Sequence, residues 1–108
     1  MKKNHIFVSH STKDKAFVDA LRKSLEIQGL KAWMYSRQLA AGDELEKKVK
    51  EAIRQARAFI TVFSINAFNS PWILKEMKHA LGVKKKQGDD YPVIPLLPTL
   101  TLLGRRGA

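Results

Sequence analysis

The chain has 108 residues, 44% of them apolar, with 20 basic and 10 acidic side chains and a formal net charge of +10. That length suits one domain built round one core. The absence of cysteine excludes disulfide frameworks, thiolate metal sites and cysteine nucleophiles, and the scattered His5, His10 and His79 contain no HExxH, so no metal is expected.

His5–Ser9 (HIFVS) is a short apolar run rich in β-formers. Lys13 to Gln28 reads as a helix, with Phe17, Ala20, Leu21 and Leu25 at helical spacing and Gly29 at its stop. Leu30–Met34 is a second strand, and Ser36–Asp43 (SRQLAAGD) a loop ending in a capping aspartate. The following helix buries Leu45, Val49, Ala52, Ile53 and Ala56. Ala58–Ser64 (AFITVFS) is apolar almost throughout, the pattern of a strand covered on both faces. Asn69-Ser70-Pro71 then supplies a cap and a proline at the first helical position, opening a helix to about Lys84 or Lys85. Tyr91–Leu97 (YPVIPLL) is a fourth strand whose prolines suit a sheet edge.

This β-α-β-α-β-α-β order predicts an α/β fold, an open parallel sheet in three layers joined by right-handed crossovers. Residues 1–97 read as one domain and 98–108 as a short tail. No helix follows the last strand to cover it, so the sheet is expected to be incomplete at its C-terminal edge. No apolar run is long enough to span a membrane, and Met-Lys-Lys-Asn-His is expected to lead into a short strand rather than a signal h-region. A soluble cytoplasmic domain is expected.

Ligands of open parallel sheets bind beyond the carboxyl ends of the strands. No GxGxxG or P-loop stands at those ends, and a triad of Ser9, His10 and Asp14 is a weaker reading than simple capping. The acids are more informative because most have a cation three or four residues away, as solvated helix faces do. Glu76 does not: its neighbours at those spacings are Trp72, Ile73, His79 and Ala80. Residues 52–88 contain seven Lys or Arg and this one acid. Trp72 lies four residues earlier, about 6 Å along the helix axis and nearly eclipsed. An aromatic ring beside a lone carboxylate at the carboxyl edge of a sheet suits a ligand site. A tryptophan packed on the sheet with a glutamate at its rim is the plainer alternative.

Ile6-Phe7-Val8-Ser9-His10-Ser11 with Asp14 resembles the first strand and loop of Toll/interleukin-1 receptor (TIR) domains, particularly bacterial ones. Leu30-Lys31-Ala32-Trp33 resembles their second strand, Ser36–Gly42 their BB loop, and Asn69-Ser70-Pro71-Trp72 with Glu76 their WxxxE helix. The similarity runs from about residue 5 to residue 97. The chain departs from the family in having Tyr35 and Ser36 where many members place an aspartate, and Ala41 where proline often precedes the glycine.

The resemblance implies a flavodoxin-like TIR fold and one of two functions. Some TIR domains are scaffolds for homotypic TIR–TIR contacts; others cleave NAD+, as substrate and with no other cofactor, at the nicotinamide–ribose bond. It makes Glu76 the catalytic residue and Trp72 its aromatic companion. Ser9, His10 and Trp33 are then expected to line the pocket, and Arg37 or Lys13 to meet the pyrophosphate. The BB loop Leu39, Ala40, Ala41, Gly42 and Asp43 becomes a self-assembly interface. Antiphage defence or toxicity and a fused or associated sensor domain follow as expectations. Outside the family, a nucleoside-processing α/β domain shares this sheet and its glutamate. Nucleic-acid binding is disfavoured, since no strand interleaves aromatic with basic residues.

Overall fold

The computed structural model describes residues 5–34 and 43–97, residues 43–45 by backbone alone. In chain order the elements are β1 (His5–Ser9), a 3-10 turn (Thr12–Asp14), α1 (Lys15–Ile27), β2 (Lys31–Trp33), α2 (Asp43–Gln55), β3 (Ala58–Val62), α3 (Ile65–Phe68), α4 (Pro71–Gln87), a second 3-10 turn (Gly88–Asp90) and β4 (Val93–Leu96). The strands pair in parallel in the order β2-β1-β3-β4, so the expected open α/β sheet is observed.

Alternation along the strands divides the core in two. Ile6, Val8, Ile60 and Val62 pack with Val18, Leu21 and Leu25 of α1 on one face. Phe7 and Phe59, directly paired across β1 and β3, stack at 5.6 Å on the other. There they pack with Val49, Ala52 and Ile53 of α2 and Ala80 and Val83 of α4. All five residues of β3 are buried, as a central strand between two helical layers requires.

The helices differ from expectation in detail. Residues 12–14 form a tighter turn, so the first helix starts at Lys15 rather than Lys13. Its sheet-facing stripe is Val18, Leu21 and Leu25, while Phe17 and Ala20 are exposed. Gly29 follows in the left-handed region at φ +83°, where its N–H reaches the Glu26 carbonyl and closes the helix. Ser70 caps α4 by accepting from the Ile73 N–H at 3.3 Å, with Pro71 at the first turn. That helix runs to Gln87, past Lys85. Leu45 lies among the residues whose side chains are not described.

β4 is an edge strand, and its proline is placed accordingly. The carbonyls of Pro92 and Leu96 accept from the amides of Phe59 in β3 and of Phe63 just after it, so the odd positions, Pro95 included, turn their amide nitrogens to the open edge. No helix among the described residues is long and apolar enough to cross a membrane.

Candidate active site

The crossover through α1 carries the chain from β1 to β2 on one face of the sheet. The crossovers through α2 and α4 run the opposite way over the other face. The winding therefore reverses between β1 and β3, and a crevice opens at their carboxyl ends, where such sheets bind ligands.

The residues at those ends follow from the same alternation. Two positions beyond Phe7 stands Ser9, and two beyond Phe59 stands Thr61. The two are register partners on the face shared with α2 and α4. Above them, the stripe of α4 that faces the sheet is Ile73, Glu76, Ala80 and Val83, all buried. Helical periodicity thus puts Glu76 at a position that its neighbours fill with apolar side chains. A carboxylate so placed needs a hydrogen-bond donor. Ser9 supplies one: its Oγ donates to Glu76 Oε1 at 2.6 Å, short as hydroxyl-to-carboxylate bonds are. Ser9 is 0% exposed and Glu76 3%.

Trp72, one turn earlier, packs half-buried against the core, and Lys75 Nζ stands 5.9 Å from its ring centroid. Trp72 and Glu76 both border a groove of about 810 Å³ between α2 and α4. On the opposite side of the crevice Asp14 joins the loops after β1 and β3. It accepts from Ser64 Oγ and, at 3.1 Å, from Asn66 Nδ2. Ser64 in turn caps α3 by accepting from the Asn66 N–H at 3.2 Å.

The structure brings Ser9, Trp72 and Glu76 together and separates other expected site residues from them. Trp33 is the clearest correction. Its strand pairs Trp33 with Phe7, two residues short of Ser9, and its ring stacks on His5 at 3.9 Å. It lines a separate small cavity under α2 with Lys48, Ala52 and Gln55. His10 is half-buried with Nδ1 2.9 Å from the Ser11 carbonyl oxygen. Lys13 is exposed on the turn after β1. Neither borders the groove. Arg37, Leu39, Ala40, Ala41 and Gly42 lie outside the described residues, as does the Asp43 side chain, although its backbone opens α2. Sequence reading missed Thr61, which is 1% exposed with no hydrogen-bond partner for Oγ1 among the described residues. It also missed the tie from Asp14 to Ser64 and Asn66. Counting alternate residues from the paired phenylalanines would have found Thr61; no spacing signals the tie.

The family model described as TIR domain matches residues 6–105. The chain belongs to the TIR domain family. It is 30% identical over 102 residues to the probable 2' cyclic ADP-D-ribose synthase TcpO of Methanobrevibacter olleyae, covering 94% of this chain and 29% of that protein. It is 32% identical over 72 residues to the probable 2' cyclic ADP-D-ribose synthase TcpB of Brucella abortus, covering 66% of this chain and 29% of that protein. The chain thus spans under a third of the length of these relatives. Among solved structures, the TIR domains of the activated Roq1 resistosome superpose with a TM-score of 0.71 at 27% identity, over 88% of this chain and 57% of that one. The TIR domain of the receptor TRR-2 from Hydra magnipapillata gives 0.66 at 20% identity, over 83% and 66%. The Clostridium botulinum CMP N-glycosidase BcmB gives 0.63 at 20%, over 86% and 68%. The last two likenesses concern the fold alone.

Proposed function

We propose that this TIR domain cleaves NAD+ at the bond between nicotinamide and ribose, with Glu76 as the catalytic carboxylate. The observation that carries the reading is a glutamate set in the apolar stripe of α4, at the reversal point of the sheet, and held by Ser9. The names of the related TcpO and TcpB proteins, cyclic ADP-D-ribose synthases, support the same chemistry.

The bond that breaks joins ribose C1′ to the pyridinium nitrogen, and its electron pair leaves with neutral nicotinamide. The ribosyl cation that remains resembles the transition state of glycoside cleavage, which a carboxylate stabilises. The leaving group already carries positive charge, so no strong general acid is needed. Ser9 fixes one oxygen of Glu76 and thereby the orientation of the carboxylate. Capture of C1′ by water, with loss of its proton, gives ADP-ribose. Capture by a hydroxyl of the same molecule, again with loss of a proton, gives a cyclic product. Activity on self-assembly, through the BB loop of residues 39–43, and a role in bacterial antiphage defence belong to the same proposal.

The test is chromatography of the products after concentrated protein is incubated with NAD+. Nicotinamide with an equimolar linear or cyclic ADP-ribose is expected, at a rate per domain that rises with protein concentration. Concentration-dependent assembly without turnover would instead make the domain a scaffold.

A further inference from the structure

The groove between α2 and α4 extends well beyond Glu76. It continues along α4 past His79, Gly82 and Val83 to Lys86, ten residues and about 15 Å from Glu76. Val49, Ile53 and Val83 give it an apolar floor. Its rim is basic: Lys50, Arg54, Lys78 and Lys86 border it. Glu46, the one rim carboxylate besides Glu76 among the described residues, is already approached by Lys50 at 3.5 Å and Lys75 at 3.7 Å. Neither Lys78 nor Lys86 is within ion-pair distance of a carboxylate among the described residues.

Gly82 adds an independent observation. A glycine inside a helix costs about 1 kcal/mol relative to alanine, and packing does not require it here. A Cβ at Gly82 would meet nothing within 4 Å, and its φ is not positive. Its effect is to leave the groove open midway along its length.

We propose that this groove binds the adenosine diphosphate half of the dinucleotide, and so fixes which end of the substrate meets Glu76. The inference rests on the NAD+ reading and deepens it. A volume of about 810 Å³ lies within the range of small-molecule sites. The adenine ring lies on the apolar floor below Gly82. The two phosphates meet Lys78 and Lys50, whose charge they complement, and Lys86 closes the far end. Lys13, outside the groove, takes no part.

Calorimetric titration with ADP-ribose, which lacks nicotinamide and needs no turnover, tests this directly. Wild type and Lys31→Ala, a change on β2 outside the groove, are expected to bind alike. Gly82→Phe, which fills the groove while improving helix propensity, and Lys86→Glu are each expected to bind at least tenfold more weakly. Equal binding by wild type and Gly82→Phe, or no binding by wild type, would overturn the proposal. NAD+ cleavage with the same KM in all four proteins would also remove the groove, and leave the reaction standing. Gly82-dependent ADP-ribose binding without any NAD+ cleavage would keep the groove and remove the reaction.

Discussion

Glu76 is the carboxylate at the centre of the candidate site, and its position conflicts with its own helix. Among Ile73, Ala80 and Val83 it is the one side chain of the buried stripe that burial penalises. Such a position persists where the group has a use or a partner, and Ser9 is the partner at 2.6 Å. Ser9→Ala is expected to lower NAD+ cleavage about tenfold, the worth of one hydrogen bond to a charged group. KM should change less than kcat, which steady-state kinetics will show. Glu76 was legible in the sequence because acids are scarce in residues 52–88. Trp33 was misread for a physical reason. Sequence shows that it ends a strand, but not that the strand is in register with Phe7 and stops a layer below Ser9.

At the scale of elements, helix ends carry the stability predictions. The Tyr91 hydroxyl donates at 2.6 Å to the carbonyl of Ile53 in the last turn of α2, where carbonyls lose their intrahelical partners. Tyr91→Phe is expected to cost about 1–2 kcal/mol, read as a lower urea midpoint with unchanged slope. Burial also raises the pKa of this phenol above its ordinary value near 10. The folded state therefore holds the proton that the unfolded chain releases. The contribution is complete below about pH 10 and lost as pH rises toward the folded-state value. Wild type should lose more stability than Tyr91→Phe between pH 9 and pH 11. Gly82→Ala should stabilise α4 by about 1 kcal/mol, visible as a higher Tm. The long elements were legible from caps and periodicity: Ser70-Pro71 opens α4 as the sequence indicates. α3 was not, because four residues are too few to display a period.

Across the whole molecule, the order β2-β1-β3-β4 places the site. Reversal of winding between β1 and β3 makes the crevice, α4 brings Glu76 to one side, and Asp14 fastens the other through Ser64 and Asn66. The βαβ alternation that fixes this order was legible in the sequence. The Asp14 tie, between residues 50 and 52 positions apart, was not, since nothing local signals it. Asp14→Ala is expected to cost about 1–3 kcal/mol by leaving the Ser64 hydroxyl and Asn66 amide short of an acceptor, measurable by denaturant unfolding. The surplus of ten positive charges is a field suited to an anionic dinucleotide. Nicotinamide release from NAD+ by wild type and Glu76→Gln, side by side at equal concentration, decides whether this carboxylate carries the reaction. Steady release by wild type is expected, with a loss of at least about a hundredfold in the variant, the scale of one positioned catalytic group. Equal release by both proteins would contradict it.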